Sequence, residues 1–323
     1  LSEDEVDVLV EVSASGFAGQ TMKLIVRDNG ALAAEYSVAV DAAHFRRSVT
    51  IPIQVHESGF RHIEVSVQAP RADRVAANNS ISTLLNVRSQ AVKVMHFEAE
   101  PRFEVKFVRR ALANDSAVSL SSLVRTGDNR YLRLGISAQD ELADGFPVTA
   151  KELFRYQVLV IGSVNVATFT QQQLDLLQRF VSVRGGSVLF LGGSNAFAEG
   201  DWQASTIAPM LPVVLEPAGE PFKVAVRATV TGAGRVHPVT KGLFDGTART
   251  QAITLPELAM VNDIRRIKRG ASVLLQGDDG GAAPLVMLAW QRFGAGRVAV
   301  MPVRDTWRWR MHADVPVDDQ SHQ

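Results

Sequence analysis

The feature that most constrains this chain is a change of hydrophobic period near residue 90. Over residues 5–88, apolar side chains recur at every second position. The stretch "VDVLVEV" puts Val6, Val8, Val10 and Val12 on one face. "MKLIVRD" does the same with Met22, Leu24 and Val26, and "HIEVSVQ" with Ile63, Val65 and Val67. In "SVTIPIQV", Val49, Ile51, Ile53 and Val55 stand opposite Thr50, Pro52 and Gln54. A period of two gives a strand one buried face and one wet face. The turn signals Asp28-Asn29-Gly30 and Glu57-Ser58-Gly59 separate the runs, and no helical period of useful length intervenes. Residues 1–89 are therefore expected to form an all-β, immunoglobulin-like sandwich of six or seven strands. Pro52 has no N–H to give to a ladder, so its strand is expected at an edge. His44, His56 and His62 are scattered and read as surface or packing residues.

From Ala91 strands alternate with helices. "AVKVMHF" reads as a strand running into "EAEPRFEVKFVRRALAND". There Pro101 suits a first helical position, and Phe103, Phe107, Val108 and Ala111 form the expected apolar stripe. "VSLSSLVRTG" is a second strand. Thr149 and Glu152 have capping-box spacing before "ELFRY". "YQVLVIGSV" is apolar throughout, as suits a parallel strand covered on both faces. In "TQQQLDLLQRFVSVRGG", Thr170 and Gln173 cap a helix whose Leu174, Leu177 and Val181 face inward, and Gly185-Gly186 ends it. "SVLFLGG", "FKVAVRATV" and "ASVLLQG" read as strands, and "PLVMLAWQRFGAGRVAVMPV" as a hairpin turning at Phe293–Gly296. This rhythm predicts a three-layer α/β domain over residues 90–323, a mostly parallel sheet with helices on both faces.

Composition narrows the chemistry. Lys and Arg number 34, as do Asp and Glu, so the formal net charge is zero. No nucleic-acid partner is expected, and the run Arg265, Arg266, Lys268, Arg269 reads as a solvated loop. Cysteine is absent, which excludes a disulfide framework, a thiolate metal site and a cysteine nucleophile. With no metal-ligand spacing, phosphate loop or dinucleotide fingerprint, no cofactor and no metal are expected. No apolar run is long enough for a membrane-spanning helix, and no signal peptide is visible. The chain begins at Leu1 and closes on the polar "DVPVDDQSHQ". Both ends read as cuts, and the expectation is the soluble part of a larger protein.

Taken in order, "FEAEPRFEVKFVRRAL", "SSLVRTG", "ELADGFPVTAKELFRYQVLVIGSV", "LDLLQRFVSVRGGSVLFLGGSNAF", "HPVTKGL" and "TWRWR" resemble the glutamine-amidotransferase-like domains of large bacterial membrane proteins. The resemblance covers about residues 91–312. It implies a flavodoxin-like domain of class I glutamine amidotransferase type, anchored by membrane segments outside this stretch. It also implies a periplasmic or extracytoplasmic setting, with other domains of the same membrane protein or other envelope proteins as partners. Active members of the wider fold place a cysteine at the elbow after the strand that "SVLFLGG" resembles, with a His-x-Glu pair farther on. Here Gly192 stands at the nucleophile position, and His237 is followed by Pro238 and Val239. The resemblance therefore implies a pseudoenzyme with a binding or scaffolding role. "RVAANNSIST" resembles the final-strand entry of bacterial adhesion-type sandwich modules. "HPVTKGL" is similar to a motif of trehalose-utilisation-like proteins, which adds carbohydrate binding to the candidates.

The rival reading is a hydrolase or carbohydrate-acting enzyme with its site at the strand ends. Ser194 follows Gly193 at a strand-to-turn apex, as in a nucleophile elbow, but Ala196 replaces that motif's second glycine. Glu98, Glu100 and Arg102 follow the first strand of the domain, where open α/β sheets collect ligands. The same edge is expected to gather Ser163, Gly193, Ser194, Arg304 and Asp305 into a pocket for a small molecule or glycan. The competing structural reading has Glu100 capping the helix and Glu98 solvated or paired with an arginine. In "TWRWR", Trp307 and Trp309 alternate with Arg308 and Arg310, which in a strand places tryptophans on one face and arginines on the other.

Overall fold

The structure, a computed structural model, describes residues 4–55, 58–68, 78–87, 91–113, 115–216, 222–241, 256–281 and 283–311. It is mostly β, with several sheets, and divides into two compact units, Leu1–Ala91 and Val92–Gln323.

In the first unit β1 (Asp4–Ser15) pairs antiparallel with β4 (His44–Val55). A second sheet has the order β3 (Ala31–Ala39), β2 (Thr21–Asp28), β5 (Gly59–Gln68), β6 (Ser80–Val87). The alternation sets the faces. Val12, Val49, Ile51, Ile53 and Val55 of one sheet share a buried cluster with Met22, Leu24, Val26, Ile63 and Val65 of the other. Val6, Val8, Val10 and Val67 pack against it, partly buried. Pro52 sits opposite Asp7 in a sheet that has two strands among the described residues, so its strand is an edge there. His44 and His62 are not buried, and His44 Nδ1 lies 3.2 Å from Ser15 Oγ. His56, and residues 74–77 of the "RVAANNSIST" stretch, lie outside the described residues.

The second unit is built on nine strands. In spatial order these are β13 (Arg227–Val230), β15 (Ser272–Asp278), β16 (Leu285–Phe293), β17 (Gly296–Met301), β11 (Ser187–Leu191), β10 (Val158–Ile161), β7 (Val92–Glu98), β8 (Val118–Gly127) and β9 (Arg130–Leu134). The five strands from β17 to β8 run parallel, and the outer four are antiparallel. Alternate residues of β7 and β10 belong to different clusters, Met95, Phe97, Leu159 and Ile161 to one and Val94 and Val160 to the other. Both faces of the parallel centre are thus covered, which is why these strands lack a polar face.

The helices are α1 (Phe103–Leu112), α2 (Ala150–Leu153), α3 (Gln171–Ser182), α4 (Gly232–Val236), α5 (Pro238–Lys241) and α6 (Trp307–Met311). Both expected capping boxes form: Thr149 with Glu152, and Thr170 with Gln173. Leu174, Leu177 and Val181 of α3 are buried. Thr170→Ala removes the acceptor for the Gln173 N–H and is expected to cost about 1 kcal/mol, read as a lower urea midpoint at unchanged slope.

Three expectations need correction. "FKVAVRATV" is two strands, because Ala225 adopts a positive φ of 53° between β12 (Phe222–Lys223), which pairs with β14 (Val261–Asn262), and β13. The stripe expected on α1 is not its buried face: Phe103 and Ala111 are exposed, and Glu104 and Val105 are buried. "TWRWR" lies in helix α6 from Trp307 onward, so its tryptophans and arginines do not divide between two faces.

Candidate functional site

The parallel strands run in the spatial order β8-β7-β10-β11-β17, so the chain direction of winding reverses between β7 and β10. At such a reversal the loops leaving two adjacent strands diverge and open a crevice at their carboxyl ends. Here Glu98, the last residue of β7, lies across that crevice, fully buried. Its Oε1 accepts the Ser163 N–H at 2.7 Å, and its Oε2 accepts Arg102 Nε at 2.7 Å. Arg102 Nη1 then donates to the Gly192 carbonyl at 2.7 Å, tying β7 to the end of β11. Gly162 permits the arrangement, because a Cβ there would fall on the Glu98 carboxylate. Burial acts to raise the Glu98 carboxyl, but His96 and the Arg102 guanidinium outweigh it and hold it below the ordinary carboxylate range. His96, fully buried on the same strand face, has its Nε2 3.7 Å from Glu98 Oε2.

The apex of β11 is backbone clamped on backbone. Gly192 N–H donates to Met301 O at 2.8 Å, and Gly193 N–H to Asn262 Oδ1 at 3.0 Å. Asn262 Nδ2 returns a hydrogen bond to Gly193 O and gives another to Glu199 Oε2. Ser163, also buried, accepts the Asn195 N–H on its Oγ at 3.0 Å. Ser194 is exposed and makes no hydrogen bond to a histidine among the described residues. His237 instead stacks near Trp290, with ring centroids 5.1 Å apart. Nothing in this geometry activates the Ser194 hydroxyl.

Beside this clamp is a cavity of about 560 Å³, lined by Arg102, Phe103, Glu104, Ala259, Met260, Arg304, Asp305, Trp307 and Arg308 among others. One wall is the entry to α1, whose N-cap Arg102 makes no side-chain cap. Glu100, expected as a possible helix cap, pairs with Arg304 at 3.4 Å. The facing wall comes from the segment after β17. Asp305, buried there, accepts the Ala259 N–H at 2.8 Å and the Met260 N–H at 3.2 Å, and Arg308 approaches it at 3.7 Å. Phe103 and Trp307 meet across the cavity, with ring centroids 5.4 Å apart and planes tilted by 49°. Trp309 is buried, its Nε1 donating to Pro256 O. The Arg310 side chain lies outside the described residues.

The structure thus gathers Arg102, Asp305, Trp307 and Arg308 at the cavity, with Glu98 and Glu100 immediately behind as ion-pair partners. Ser163 and Gly193 belong to the adjoining clamp, and Ser194 stands outside it on the surface. Sequence reasoning missed Glu104, Asn262 and the Ala259-Met260 edge. Glu104 is 3% exposed, and burial raises its carboxyl to about 7; Arg102 works against that rise, and Glu98 and Asp305 add to it. A raised folded value favours the protonated form, so this residue's contribution to stability is present below about pH 4 and lost as pH rises through 7. Glu104→Gln is therefore expected to stabilise the chain by about 2 kcal/mol at pH 8, with the gain fading toward pH 4, as chemical denaturation at both pH values would show.

No family model matches the chain, and no curated protein matches it. Among solved structures, a CARDB domain from Pyrococcus furiosus is 19% identical with a TM-score of 0.24, over 27% of this chain and 76% of that one. A β-galactosidase from Rahnella sp. R3 is 15% identical with a TM-score of 0.38, over 67% of this chain; the chain spans only 29% of that enzyme's length. A family two carbohydrate esterase from Clostridium thermocellum is 12% identical with a TM-score of 0.20, over 61% of this chain and 70% of that one. The expected amidotransferase resemblance is corrected by these findings. No family model carries it, and the solved structures reported are a CARDB domain, a β-galactosidase and a carbohydrate esterase. The expected envelope-membrane setting rested on that resemblance. Among the described residues no helix is long and apolar enough to cross a membrane.

Proposed function

We propose that the second unit is a binding module that takes a small carbohydrate-type molecule in the cavity at the carboxyl ends of its parallel strands. The observation that carries this reading is the lining of that cavity. A sugar ring presents C–H groups on its faces and hydroxyls around its rim. It therefore needs a flat apolar platform and a ring of charged donors and acceptors. Phe103 and Trp307 each offer an aromatic face, the two tilted by 49°, and Arg304, Arg308, Asp305 and Glu104 the polar partners. Binding without cleavage is supported by the exposed Ser194, which has no histidine partner among the described residues, and by Gly192, where no side chain has room. The spatial order of the parallel strands supports a flavodoxin-like core for this unit. Two sheets sharing one apolar cluster support an immunoglobulin-like sandwich for the first.

Titration of the full chain with methyl glucoside and short oligosaccharides, followed by tryptophan fluorescence, tests the reading. Saturable millimolar or tighter binding is expected, weakened at least about tenfold in Trp307→Ala. If every saccharide leaves the signal flat, the carbohydrate reading fails.

A further inference from the structure

Charges around the cavity pair off with one left over. Arg102 meets Glu98 at 2.7 Å, Arg304 meets Glu100 at 3.4 Å, and Arg308 meets Asp305 at 3.7 Å. Glu104 lines the same cavity and forms no ion pair among the described residues. Its Oε1 is buried with no hydrogen-bond partner. The Arg102 Nη2 beside it is also buried and without an acceptor, so the arginine's bonds are directed to Glu98 and Gly192. A buried carboxylate without a cation is costly, and two remedies exist: a proton, or a positive charge brought by the occupant. The two aromatic rings at the cavity favour the second remedy, because a cation gains from their faces as well as from the carboxylate.

We infer that the occupant carries an ammonium group seated against Glu104 beside the Phe103 and Trp307 rings, which makes it an amino sugar. The inference rests on the carbohydrate reading for the sugar and on Glu104 alone for the amine. Above about pH 7 the ligand's charge meets the Glu104 carboxylate directly; below it, binding must first displace the Glu104 proton. The charged groups around Glu104 are Arg102 at the start of its own helix, Glu98 on β7, and Asp305 and Arg308 on the segment running into α6. Arg304 and Glu100 stand as a pair at the cavity edge. α1 also packs on β8, from which no titratable group acts on Glu104 among the described residues. Of these, Arg102, Glu98 and Asp305 act on Glu104 most strongly.

Calorimetry on the full chain with methyl 6-amino-6-deoxyglucoside and methyl glucoside compares an ammonium with a hydroxyl on the same ring. Benzylammonium and benzyl alcohol make the same comparison without a sugar. The amino glycoside is expected to bind about tenfold more tightly than methyl glucoside at pH 8 and to lose about tenfold of its affinity at pH 6, as Glu104 takes up its proton. Glu104→Gln should erase the preference, so that within that variant the amino glycoside binds no more tightly than methyl glucoside. Should that variant fail to fold, the pH dependence of the natural chain carries the test. Equal affinity for amine and hydroxyl at pH 8 overturns the amine inference and leaves the carbohydrate reading standing. Binding of benzylammonium alone, with the same Glu104 dependence, supports the cation site and overturns the sugar. Binding of none of the four probes overturns both.

Discussion

In Arg102→Met the second unit is expected to lose about 3–5 kcal/mol of stability, because the change leaves the buried Glu98 carboxylate without its guanidinium partner. Glu98 has no exposure to water with which to compensate, and it is fixed in place by the Ser163 N–H. Arg102 itself is buried and also holds the Gly192 carbonyl, so the substitution opens the link between β7 and β11 as well. Acidification supplies an internal control. In the natural chain Glu98 sits below the ordinary carboxylate range, so its contribution is present above the unfolded value and lost as pH falls. Without Arg102 its carboxyl rises instead, so the deficit of Arg102→Met should shrink as pH is lowered from 7 toward 4. Urea unfolding of both chains across that range gives the comparison. A loss below about 1 kcal/mol at pH 7 would mean that Glu98 and Arg102 do not clamp the crevice.

The second large effect is expected at Gly192. A methyl group there would meet the Pro302 carbonyl carbon at 2.5 Å, the Val303 nitrogen at a still shorter distance, and Asn262 Oδ1 at 2.7 Å. Two of the three obstacles are backbone, held by the Val261–Val303 bridge and by the Gly192 N–H on Met301 O. They cannot swing aside as a flexible side chain would. Gly192→Ala should cost about 3 kcal/mol or more, at the upper end for inserting a methyl into a packed site. Gly192→Cys carries the same Cβ and should fail in the same way, without gaining the ability to hydrolyse glutamine. Near-native melting of Gly192→Ala would show that the β11 apex is looser than this packing implies.

Much of the architecture is written in short-range pattern. Period-two alternation in Val49–Val55 identifies a one-sided strand because each residue repeats the same choice between core and water. Thr170 with Gln173 marks a helix start because both capping partners lie within one turn. The site is written in longer-range relations. Glu98 and Arg102, four residues apart, are both legible as residues of the strand end, but their pairing is set by the fold. Glu104 is missed because the stripe expected on α1, Phe103, Phe107, Val108 and Ala111, leaves it out. The helix instead turns Phe103 to the cavity and buries Glu104 and Val105. The Ala259-Met260 edge is positioned by Asp305, a partner more than forty residues away, and no local period reports such a contact. Alternation in "TWRWR" misled for a related reason. Two tryptophans spaced by one residue fit a strand, but four residues of this stretch lie in a helix, where Trp309 bonds to the Pro256 carbonyl and Trp307 meets Phe103.

Where the ligand sits is the claim on which the functional account depends. Hydrogen–deuterium exchange of the full chain, with and without saturating saccharide, tests it most directly. Slower exchange is expected in peptides covering residues 101–104, 259–260 and 304–308, the segments that line the cavity. Protection confined to residues 4–87, or centred on Ser194 with those cavity segments unchanged, would contradict it.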